Sequence, residues 1–143
     1  MKTKDLVAVV AVTILGFFLG WLIFGILLAD FYKSNTVEYT GLMKDPPSLW
    51  TFAVANLCLA VLFVLIFRMW AGITTFLRGL NAGIIITLLV MLSFDLFMYG
   101  SMNLFSFRLV IVDVIANTVL GGLMGGLAGL ILGMGKEKAG ATV

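Results

Sequence analysis

Histidine is missing from this chain. With it go the commonest transition-metal ligand, the usual haem ligand and the usual general base near neutral pH. No metal site and no bound cofactor is therefore expected. A single cysteine, Cys58, excludes an intrachain disulfide and a paired-thiol motif. Charge is scarce: 11% of residues are charged, and nine lysines and arginines against seven acids leave a net charge of +2. Soluble domains are about a quarter charged. So small a positive excess gives no footprint for nucleic acid, and no such partner is expected. Proline occurs only at Pro46 and Pro47, so no apolar stretch is interrupted by it.

What the chain has instead is hydrocarbon, at 62% hydrophobic residues. A soluble domain of 143 residues has too little interior to hide that surface, whereas a bilayer lets it remain exposed. Four apolar runs stand out, at about 6–32, 49–67, 79–101 and 109–134. A helix needs ~20 apolar residues to cross the hydrocarbon core. The runs predict an all-α integral membrane protein: one membrane domain over residues 1–143, a four-helix bundle of up-down topology with a glycine-rich fourth helix. Lys2 and Lys4 precede the first run as in a signal peptide. The run is longer than the ~7–15 residues of such a peptide and no small-residue cleavage pattern follows, so an uncleaved anchor is expected.

The connections are short. Residues 33–48 form the first, with Ser48 a candidate N-cap before Trp50. Residues 68–78 place apolar side chains between Arg68 and Arg78, a pattern that predicts a segment lying on the membrane surface. A tight turn at 102–105 joins the last two spans. Lys2, Lys4, Arg68, Arg78, Lys136 and Lys138 fall on the side of the termini, against Lys33, Lys44 and Arg108 on the other. The positive-inside rule then places both termini in the cytoplasm of a multi-pass protein of the cell (inner) membrane.

Glycine is plentiful, at 16 residues. Gly121, Gly125, Gly129 and Gly133 recur every fourth position, with Gly122 and Gly126 beside them; Gly16 and Gly20 repeat the device in the first helix. Glycine weakens a helix, so such a row needs a reason. Small residues at this spacing let a second helix backbone approach closely. Extended upward, the row reaches Asn117 and then Asp113. From the ~1.5 Å rise per residue, Asp95, Asp113, Asn117 and Asn56 come out at similar depth, in one half of the bilayer. Arg108 lies across the tight turn from Asp95. An ionisable side chain inside a span marks a functional site by default, as a proton or cation path. The plainer reading is polar adhesion between helices, with the carboxylates protonated or paired to Arg108.

The layout resembles that of small uncharacterised bacterial membrane proteins grouped as domains of unknown function. The likeness rests on four helices, a Gly-rich aromatic stretch in the first (Gly20-Trp21-Leu22-Ile23-Phe24-Gly25) and the glycine-rich last helix. It implies the fold and no activity. The first helix lacks the mid-membrane glutamate of small multidrug exporters, and paired cysteines of quinone-reducing thiol enzymes are missing.

No nucleophile stands beside a base, and no phosphate-binding loop is present, so no enzyme is expected. Two functions remain. One is an accessory or structural subunit of a membrane complex, or a self-associating scaffold, with lipids and further copies or other subunits as partners. The other is a small oligomeric proton or cation transporter or channel that uses the intramembrane aspartates.

Overall fold

The computed structural model describes residues 3–134. Lys2, Lys136 and Lys138, which enter the charge argument above, lie outside the described residues. Five α-helices follow one another: α1 (Thr3–Gly20), α2 (Ala29–Asn35), α3 (Leu49–Leu65), α4 (Phe76–Ser101) and α5 (Phe107–Gly133). Two of them run on as π-helical turns, α1 through Trp21–Leu27 and α3 through Ile66–Ala71. Four stretches are long and apolar enough to cross a membrane: Thr3–Leu27, Leu49–Ala71, Phe76–Ser101 and Phe107–Gly133. In hydrocarbon every backbone polar group must be satisfied within the segment, and uninterrupted apolar runs do this as helices.

The first apolar run, however, is not one helix. Its span ends at Leu27, where Leu28 leaves helical geometry (φ −107°, ψ 2°) while its amide still bonds the Ile23 carbonyl at 2.8 Å. The short α2 then starts in a new direction. The second span is longer than the sequence implied. Arg68 to Ala71 complete it, and Gly72, at φ 58°, closes it. Gly72 adopts the left-handed conformation that glycine tolerates best at a helix end. Only a brief link remains before α4, so residues 68–78 form no separate surface segment.

Capping sets the other boundaries. The hydroxyl of Thr75 accepts from the Arg78 amide at 3.4 Å, and that of Ser106 from the Leu109 amide at 3.3 Å. Ser48 stands at the start of α3 but does not cap it through its side chain. Its carbonyl instead accepts from the Thr51 amide and hydroxyl, at 3.1 and 2.6 Å.

α5 is the hub of the packing. Leu120, Met124 and Ala128 join Val9 and Val12 of α1 and Phe63 of α3 in one buried cluster. Its opposite side meets α4 through glycine. A Cβ on Gly83 would collide with the Gly121 carbonyl oxygen, and one on Gly79 with that of Gly125. Conversely, a Cβ on Gly125 would come within 2.9 Å of the Gly83 Cα, and one on Gly129 within 3.2 Å of the Gly79 Cα. Gly133 abuts the Thr74 carbonyl, while Gly121 faces the side chain of Thr87. Backbone thus lies on backbone along the α4–α5 seam, the arrangement small residues permit. A Cβ on Gly16 of α1 would collide with the Asn56 side chain of α3 and come within 3.0 Å of the Met124 sulfur. Gly20 is different: a Cβ there would find Leu120 at 3.8 Å, an ordinary contact.

The two ends are tied differently. At the end where Thr3 and Gly133 lie, the Lys4 ammonium donates to the Met134 carbonyl. At the far end, the strand-like residues after α2 pair with the α4–α5 turn: Val37 N–H donates to the Leu104 carbonyl at 2.7 Å and Ser106 N–H to that of Asn35 at 2.9 Å.

Candidate functional site

The polar groups buried toward the far end converge on one carboxylate. Asp113 lies half-buried on α5, one turn before Asn117. The Asn117 amide nitrogen donates to Asp113 Oδ2 at 2.8 Å and to the Asp113 carbonyl at 3.1 Å. The Tyr32 hydroxyl, carried in by α2, donates to Asp113 Oδ1. The break at Leu28 makes that bond possible, because it releases α2 from the axis of α1. The Tyr32 ring is steadied edge-on by Phe24, with ring centres 5.8 Å apart.

Asp95 of α4 completes the group. It is 8% exposed, and its carboxyl lies within side-chain hydrogen-bonding range of Asp113. Its Oδ2 has no hydrogen-bond partner among the described residues. Burial, then the bond to Asp113 and the negative charges of Asp113 and Asp95, push the Tyr32 phenol well above its usual range. Tyr32 therefore keeps its hydrogen and acts as a donor.

Two residues expected in this layer lie elsewhere. Asn56 turns to α1, its Oδ1 toward Gly16 and its amide donating to the Phe52 carbonyl at 2.9 Å. That contact with Gly16 puts Asn56 on a different face from the Asp113 group. Arg108 is exposed, and no salt bridge joins it to Asp95 or Asp113 among the described residues. Five residues along a helix turn a side chain about 140° away, so Arg108 leaves the face of Asp113 and keeps its guanidinium at the surface. Tyr32 stands in the place the sequence reading gave to Arg108. Nothing in the residue spacing singled out Tyr32 as more than an interfacial aromatic.

A second polar contact lies at the other end. Asp5 is 3% exposed, and the Arg68 Nε stands 3.3 Å from its Oδ1. Both residues entered the sequence argument as charges to be counted. The signal that pairs them is topological, since the start of the first span and the end of the second share one side of the membrane.

Among the described residues no three acidic, thiol or imidazole groups gather as they would around a metal ion. A small cavity of about 40 Å³ adjoins Asn117 between α3, α4 and α5, with walls that are mostly hydrocarbon, such as Leu62, Val90 and Met124. The carboxylate oxygens of the site accept hydrogen bonds, from Tyr32 and from Asn117. Comparison with known proteins finds no match to this chain among family models, curated proteins or solved structures.

Proposed function

We propose that this chain is an up-down four-helix bundle of the cell (inner) membrane, with both termini in the cytoplasm, and that it works as a small proton transporter through Asp95 and Asp113. The observation that carries this reading is the hydrogen-bond pattern at the pair. Both oxygens of Asp113 already accept, from Tyr32 and from Asn117. That pattern suits an ionised carboxylate. Two adjoining carboxylates repel strongly when both are charged, and the repulsion is relieved by a proton between them. With Asp113 saturated by donors, the proton resides on Asp95, which donates it to Asp113. A carboxylate pair of this kind inside a span is costly unless it serves a purpose.

Proteoliposomes carrying an imposed pH gradient test the reading. Wild-type protein should dissipate the gradient, and Asp95→Asn should not, although it keeps the shape and hydrogen-bonding capacity of the site. A gradient that persists with folded wild-type protein would overturn the transport reading.

The second reading is an accessory subunit or self-associating scaffold. It is favoured by the bonds of Tyr32 and Asn117 to Asp113, which join α2 to α5 as polar adhesion would. In it the aspartates only hold α2, α4 and α5 together. Under this reading Asp95→Asn leaves assembly intact, and flux is absent before and after the substitution.

A further inference from the structure

The proton-site reading leaves open how a proton reaches a carboxyl buried as deeply as Asp95. Two grooves open at the far end. One, of about 590 Å³, is lined by Asn35, Tyr99 and Ser106 among others, and the Ser106 hydroxyl there lies 2.8 Å from Asn35 Oδ1. No aspartate lines it. The other, of about 730 Å³, is lined by Phe24, Lys33, Glu38, Tyr39 and Met43, and also by Tyr32. Tyr32 is thus the residue that lines a groove and also bonds to Asp113.

Resting on that reading, we infer that the groove walled by Phe24, Lys33, Glu38 and Met43 is the proton entry port of the site, and that the Tyr32 hydroxyl relays protons between it and Asp113. The chemistry is balanced at one oxygen. A hydronium ion in the groove gives a proton to Tyr32 Oη. At the same time the original O–H bond breaks and its hydrogen bonds to Asp113 Oδ1. The hydronium becomes water, the phenol stays neutral throughout, and the charge of the aspartate pair rises by one. Exit is the reverse. Tyr32 never has to ionise, which agrees with the buried phenol keeping its hydrogen. The arriving proton stays on Asp113, since Asp95 already carries the first, and both carboxyls are then neutral. In the other direction the mostly apolar walls of the small cavity beside Asn117 offer no comparable relay.

The test is hydrogen–deuterium exchange at the buried carboxyl, followed by infrared spectroscopy of the full chain in vesicles. Wild-type protein should show a protonated-carboxyl band that shifts on transfer to deuterium oxide. Tyr32→Phe removes the relaying hydroxyl and keeps the ring, and should slow that shift roughly tenfold or more. A second variant blocks the port without touching Tyr32. Met43 lines the groove and is 74% exposed, while the native Cys58 is also exposed. Met43→Cys in a Cys58→Ser background, labelled with a bulky thiol reagent, should slow the shift relative to the unlabelled protein. If the wild-type band is absent, the proton-site reading itself fails. If the band is present but exchanges at the same rate in Tyr32→Phe and after labelling, the site stands and the entry port is overturned.

Discussion

Asp113 satisfies both carboxylate oxygens because two separate helices bring donors to it. Asn117 reaches it along α5 and Tyr32 reaches it from α2. The first bond is written in the sequence, since residues four apart on a helix face each other. The second is not, because it depends on a helix break at Leu28 that no proline or glycine announces. Arg108 illustrates the opposite error, with proximity in sequence but the wrong face of the helix. At the other end, Arg68 pairs with Asp5. Removing Arg68 withdraws one of the interactions that hold the buried Asp5 charge. The Arg68 side chain is 35% exposed, so solvent screens part of the interaction, and Arg68→Gln is expected to lower stability by about 1–2 kcal/mol. Equilibrium unfolding in detergent micelles measures it, and an unchanged midpoint would mean that the pair contributes nothing.

The α4–α5 pair is the element on which the site is built, since Asp95 and Asp113 stand one on each helix. Its closeness comes from the reciprocal contact of Gly79 and Gly83 with Gly121, Gly125 and Gly129. The row on α5 was legible from its i, i+4 spacing. Its partner was not, because Gly79 and Gly83 are only two glycines at the start of the third apolar run, too few to mark a row. Three alanine substitutions separate backbone contact from glycine content. Gly83→Ala drives a Cβ into the Gly121 carbonyl, which cannot move without shifting the helix, and should cost about 1–3 kcal/mol. Gly126→Ala meets the Phe76 ring at 2.6 Å, a side chain with room to turn, and should cost less. Gly100→Ala meets nothing within 4 Å and should be neutral or stabilising by up to about 1 kcal/mol. Thermal unfolding of the three variants should give that order; equal effects would mean that the seam is no tighter than any other contact.

At the scale of the whole molecule, the four membrane-crossing stretches follow from apolar run length, and the sequence shows all four. What the runs cannot show is where a helix turns π-helical, as at Trp21–Leu27 and Ile66–Ala71, because the change of period falls among mostly apolar residues and leaves no pattern to read. The π turns matter by position: one precedes the break that starts α2, and the other carries Arg68, which reaches Asp5. Orientation is a separate matter, decided by basic residues outside the spans. Reporter fusions after Val143 and within residues 33–48 should find the first on the cytoplasmic side and the second outside. The reverse result would place the Tyr32 groove in the cytoplasm.

The central claim is that Asp95 and Asp113 hold a proton between them inside the membrane domain. The infrared spectrum of the protein in lipid at neutral pH tests it directly, through the carbonyl stretch of a protonated carboxyl. The account predicts that this band is present in the wild-type protein, is lost in Asp95→Asn, and persists in Asp30→Asn, which alters an acid outside the site. A wild-type spectrum with only ionised carboxylates, or a band that survives in Asp95→Asn, would contradict it.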